Sequence, residues 1–113
     1  MSAPASPAAL PLYYIADGVH RAVAARENGL PLLPARLVVQ GQPDQFIYVS
    51  PDQLHSPKAS INRRVTSRRN YPALEAALAT PARRAAVPLI EVQPLGAPGQ
   101  TASVPLAQVQ IVP

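Results

Sequence analysis

Asp17, Gly18, His20 and Arg21 fall within five residues, in the stretch Tyr-Ile-Ala-Asp-Gly-Val-His-Arg that runs from Tyr14 to Arg21. Together these types can hold a phosphate. A helix that opens here presents unpaired N–H groups and the positive end of its dipole, both of which attract anions. Gly18 has no Cβ to keep a ligand off the backbone, and Arg21 offers a planar guanidinium fork to phosphate oxygens. His20 can donate to phosphate, move a proton or hold a loop. Asp17 can cap the helix, orient His20 or bind a divalent cation. The plainer alternative is an ordinary Asp-Gly turn and cap beside a structural histidine. Arg21 argues against it, because a cation in a first helical turn opposes the dipole by about 0.3–1 kcal/mol. An anionic ligand or an acidic neighbour would account for its place.

A second group lies in residues 55–70, the least hydrophobic part of the chain, where Lys58, Ser60, Arg63 and Arg64 are followed by Arg68 and Arg69. Alone, such a run is a solvated face. Folded against the 17–21 turn, it would complete one phosphate site. Tyr13, Tyr14, Tyr48 and Tyr71 offer surfaces on which a base can stack. Glu75 and Glu91 are isolated acids, and no spacing matches a metal-binding motif such as HExxH.

The elements that must position these residues can be read from periodicity and punctuation. Leu12–Ala16 reads as a strand, and Asp17 as the cap of a helix from about Gly18 to Asn28, stopped by Gly29 with Pro31 beyond. Pro34–Gln40 reads as a second strand parallel to the first, which makes a βαβ unit in outline. Gly41–Asp44 is a turn, Phe46–Val49 a third strand, and Ser50 the cap of a short helical turn. Residues 55–70 read as a loop, with at most one helical turn. A helix comes next, from about Tyr71 to Ala79, with Leu74 and Leu78 facing inward, then a further turn at Thr80-Pro81. Val87–Val92 reads as a fourth strand, and Ser103–Val112 as a last strand pair or an edge.

The bulk numbers bound the rest. A chain of 113 residues makes one domain over residues 12–113, behind a flexible Pro/Ala/Ser leader at 1–11. Apolar residues are 48% of the chain but aromatics only 4%, so alanine, valine and leucine must build the core. Fifteen prolines keep the helices short. The expected fold is α+β, a small mixed sheet with a few short helices. With no cysteine there is no disulfide framework and no thiolate chemistry. The net charge of +4 permits a nucleic-acid partner without demanding one. No apolar run is long enough to span a membrane, and the start lacks the basic region of a signal peptide. A cytoplasmic protein is expected, with export by a signal-less route left open.

The pattern Asp-Gly-x-His-Arg, preceded by a short strand and followed by an alanine-rich helix, Gly29, Pro34 and a run of valines, resembles the ParB/sulfiredoxin superfamily. The resemblance covers Tyr14 to Val39. It implies that the 17–21 turn binds a phosphate of a nucleotide or nucleic acid, with His20 and Asp17 in catalytic positions. Gly18, Arg21, Lys58, Ser60, Arg63 and Arg64 would then be the phosphate ligands. Sulfiredoxins need a cysteine immediately before the histidine, where this chain has Val19, so sulfinic-acid reduction is excluded. The order also departs. Family members place a strand, a helical turn, a basic loop, a helix and another strand before this motif. Here the stretch from Phe46 to Gly96 carries such parts after it. The resemblance therefore implies a circular permutation, or a homodimer that exchanges halves.

The activity so implied is a metal-assisted DNase, with Mg²⁺, or a nucleotide-hydrolysing enzyme acting on ATP or a relative. The alternatives are a non-catalytic nucleic-acid- or protein-binding module of a mobile element, and an antibacterial toxin domain.

Overall fold

The structure, a computed structural model, describes residues 10–62, 71–84 and 87–112. Strand β1 (Tyr13–Asp17) leads directly into helix α1 (Val19–Glu27). The face that α1 buries is Val19, Ala22, Val23, Ala24 and Ala25. These small side chains let the helix axis lie close to its neighbours. A Schellman turn ends the helix: the N–H of Gly29 donates to Arg26 O and that of Leu30 to Ala25 O, each at 3.1 Å. Gly29 takes the left-handed conformation that this turn requires, with φ 67°, in the C′ place expected of it.

After α1 come β2 (Leu33–Leu37), β3 (Gln45–Val49), a 3₁₀ turn (Pro51–Gln53), β4 (Leu54–Ser56) and β5 (Ser60–Asn62). The chain continues with α2 (Tyr71–Ala79), α3 (Pro81–Arg84), β6 (Ile90–Pro94), β7 (Val104–Pro105), a second 3₁₀ turn (Leu106–Gln108) and β8 (Gln110–Val112). Ser50 caps the first 3₁₀ turn as expected, in a capping box with Gln53.

Six strands form one mixed sheet in the order β3-β2-β6-β1-β4-β7, and β5 and β8 pair separately. β1 lies antiparallel to β6 and parallel to β4. The fold is thus α+β with a mixed sheet and short helices. The expected βαβ unit is not formed. β6 sits between β1 and β2, parallel to β2 and antiparallel to β1, so β2 runs against β1. The central place goes to the strand with most to bury: Ile90 and Val92 of β6 are both fully covered. β6 also begins later than the sequence pattern puts it, leaving Val87 buried ahead of the strand. The loop expected over 55–70 contains β4's last two residues and all of β5, strands of three residues each and too short for alternation to be read. The leader, Leu10 and Pro11 apart, and residues 63–70 lie outside the described residues.

One face of the sheet carries the core. Ile15, Leu33, Ala35, Val49, Leu54, Ile90 and Val92 are buried with α1's alanine face and Leu78 of α2. Alanine, valine and leucine build this core as expected, joined by isoleucines. On the other face Tyr14, Arg36, Phe46, Tyr48, His55, Glu91 and Gln93 are all partly or fully exposed. No helix among the described residues is long and apolar enough to cross a membrane.

Candidate functional site

β1 and β4 run side by side in the same direction, with Tyr13 level with Leu54 and Tyr14 with His55. Their C-terminal ends therefore open on one edge of the sheet, the edge at which ligands collect in α/β folds. There the register of β1 with β6 slips between Ile15 and Asp17. Such a bulge bends the strand and re-aims the residues beyond it. Immediately after it a cavity of about 560 Å³ is bounded by the turn Asp17 to Arg21, by Pro57 and Lys58 beyond β4, and by Leu74 of α2 and Pro88 before β6. Its lining is mixed, with Asp17, His20, Arg21 and Lys58 beside Val19, Pro57, Leu74 and Pro88.

Gly18, not Asp17, is the N-cap of α1, with φ 101° and no side-chain cap hydrogen bond. This corrects the expected Asp17 cap, and the reason is tertiary. A Cβ on Gly18 would stand 2.7 Å from Cγ2 of Ile90, so the corner is pressed against β6 and a side chain there would collide as well as strain the backbone. Asp17 closes β1 instead, and its carboxylate lies 3.6 Å from Nη2 of Arg21. The same Nη2 donates to Leu89 O at 3.1 Å. The Arg21 side chain is only 16% exposed, and its Nε is buried with no hydrogen-bond partner. An acidic neighbour thus accounts for a cation in the first turn, while one donor of its fork is left over.

His20 is half-buried on the cavity wall. Burial is the larger cause, and the charge of Lys58 the second, that pushes its pKa below the 6.5 of an ordinary histidine. The imidazole is accordingly neutral at pH 7. Lys58 is exposed, yet its backbone is fixed. The fully buried Ser56 accepts from the Lys58 N–H at 2.9 Å and donates to Lys58 O at 2.8 Å, closing the Pro57-Lys58 turn around its hydroxyl.

Of the residues singled out from sequence, the structure brings Asp17, Gly18, His20, Arg21 and Lys58 to one cavity. Ser60 is elsewhere, exposed at the start of β5 opposite Gln110. Arg63 and Arg64 lie outside the described residues. Sequence reasoning missed Ser56, although Ser-Pro-Lys is the composition of such a turn. It read Leu74 as core alone and gave no role to Pro88. No group of three or more His, Cys, Asp or Glu able to hold a metal occurs among the described residues. Asp17 is the carboxylate on the cavity wall, and Arg21 already engages it. Among the described residues, the cavity lining thus offers a Mg²⁺ ion one carboxylate, that of Asp17. Compared with known protein families, with curated proteins and with solved structures, the chain matches none.

Proposed function

We propose that this cavity binds a phosphate group of a nucleotide or nucleic acid, in a circularly permuted ParB/sulfiredoxin-like domain. The observation that carries the reading is the meeting of His20 and Arg21 with Lys58, from separate parts of the sequence, on one cavity wall. Leu74, Pro57 and Pro88 supply apolar surface in the lining, against which the organic part of a phosphate ester can lie.

The topology supports the permutation. Pro94, at the end of β6, pairs with Tyr13 at the start of the motif strand, and the Leu95 N–H donates to Leu12 O at 3.1 Å. Joining those two ends would restore the superfamily's order, in which a helix and strand lead into the motif.

In its enzymatic form the reading is hydrolysis of a phosphate ester, as a nuclease or nucleotide hydrolase. Lys58 and Arg21 hold phosphate oxygens while neutral His20 takes the proton of the water that bonds to phosphorus; the P–O bond to the leaving group breaks, and the leaving oxygen receives that proton from His20. The commitment of Asp17 to Arg21 favours a second reading, a module that binds phosphate without cleaving it.

Calorimetric titration with inorganic phosphate, ATP and a short DNA, beside cleavage assays on supercoiled plasmid and ATP with Mg²⁺, tests both. Phosphate-containing ligands bind, and Lys58→Ala or His20→Ala weakens them about tenfold or more, as befits loss of a charge-assisted hydrogen bond. Cleavage abolished by His20→Ala marks the enzyme, and binding without cleavage the module. If none of the three ligands binds, the phosphate reading fails.

A further inference from the structure

We propose that strand β3 is a self-association edge, at which two copies of this chain pair antiparallel and join their sheets into one. The inference is independent of the phosphate site. It begins from the difference between the two edges of the main sheet. Natural edges are blunted by brevity, proline or charge. At one end β7 is two residues long and contains Pro105. At the other, β3 is five residues long, Gln-Phe-Ile-Tyr-Val, with no proline, charge or register shift against β2. Among the described residues, its outer N–H and C=O groups meet no other strand of the sheet.

The side chains of β3 match a second copy of itself. A two-fold axis through Ile47 sets Phe46 opposite Tyr48 of the other copy, Tyr48 opposite Phe46, and Gln45 opposite Val49. Phe46 and Tyr48 are 59% and 61% exposed and lie on the open face of the sheet, with their rings already in edge-to-face contact at 5.2 Å. The symmetric pairing extends that contact into a two-by-two cluster of four rings, an arrangement that stabilises cross-strand pairs. Ile47 meets its own copy on the helix side, where it already packs against the core.

Electrostatics permit the pairing. The flanking Asp44 faces Arg36 of its own chain at 3.8 Å, and no like charges are brought opposite one another along β3. Leu32, 54% exposed just before β2, continues the apolar patch beside Tyr48. The same patch on the other copy repeats it across the axis, as an isologous interface requires. A five-residue edge covers less than the roughly 1,200 Å² total of a stable interface, so the dimer is weak and forms at high concentration.

Sedimentation velocity over about a hundredfold range of concentration tests the proposal, since dimerisation moves with mass action. Wild type shifts from monomer to dimer. Phe46→Lys with Tyr48→Lys puts lysine opposite lysine at both aromatic pairs and raises the dissociation constant about tenfold or more. Phe46→Lys with Tyr48→Glu puts lysine opposite glutamate in this register and dimerises more tightly than the Lys/Lys variant. Hydrogen exchange on wild type gives a readout free of any folding defect, with the β3 amides more protected at high concentration than at low. A wild type that stays monomeric overturns the proposal, whether or not another extended segment docks there. So does a Lys/Glu variant that dissociates as fully as the Lys/Lys one.

Discussion

Arg21 sits where a helix least favours a cation, and two contacts together with burial explain how it stays there. Its Nη2 reaches both Asp17 and Leu89 O, and most of its side chain is covered. One guanidinium thereby fastens the first turn of α1 to the approach to β6, which makes Arg21 a structural residue as well as a proposed ligand. His20 beside it carries a stability signature. Its pKa in the folded chain lies below the unfolded 6.5, through burial and then Lys58. A group so depressed is neutral in the fold, and protonation favours the unfolded chain. Its contribution is therefore intact above 6.5 and is lost as pH falls through the folded value. Thermal melts between about pH 7 and pH 5 check this. Wild type loses more melting temperature over that range than His20→Gln, and in Lys58→Ala the loss narrows because one of its two causes is gone.

At the scale of elements, the turn after β4 is held by one hydroxyl. Ser56→Ala leaves the N–H and C=O of Lys58 without their partner, a change that costs about 1–3 kcal/mol. Urea denaturation reads that loss, and titration with inorganic phosphate reads the accompanying weaker binding as Lys58 comes loose. Lys58→Ala weakens phosphate binding alike but leaves the urea midpoint almost unchanged, which separates the side chain from the turn that presents it. These elements also mark how much of the fold was legible in the chain. β1, α1, β3 and α2 declare themselves by short runs of β-forming residues, by apolar spacing at i, i+3 and i+4, and by Gly29. Gly18 was legible as a glycine that matters, but local pattern assigns its capping role to Asp17 because the approach of Ile90 is a contact from far along the chain. β4 and β5 were unreadable because three residues carry too little pattern to separate a strand from a loop. Of the site, His20, Arg21 and Lys58 could be named from their chemistry. Ser56, Leu74 and Pro88 depend on which strand lies beside which, and local sequence does not encode that.

For the molecule as a whole, the central strand pair is made from opposite ends of the described chain. Tyr13, Tyr14 and Ile15 of β1 find Pro94, Gln93 and Val92 of β6, with no turn between them. Leu12 and Leu95 continue this antiparallel register, joined by a backbone hydrogen bond. Neighbours of that kind have Cα atoms about 5.5 Å apart, within reach of a disulfide. Because the chain has no cysteine of its own, Leu12→Cys with Leu95→Cys gives one defined bridge. Oxidised, that variant is more stable than its reduced form by about 2–4 kcal/mol, as read by guanidinium denaturation. It also refolds faster in stopped-flow experiments, because the longest loop is closed in advance. Equal refolding rates would mean that the β1–β6 pairing forms late and does not limit folding. The same turnless junction has a consequence for synthesis on the ribosome. Strand β1 and the alanine face of α1 are made well before β6, the strand that completes the centre of their sheet, with β2 to β5, α2 and α3 in between. In between, Ile15 and its neighbours wait uncovered, so the growing chain depends on transient shelter, by chaperone or by collapse onto β2 and β3, until Val92 has been added.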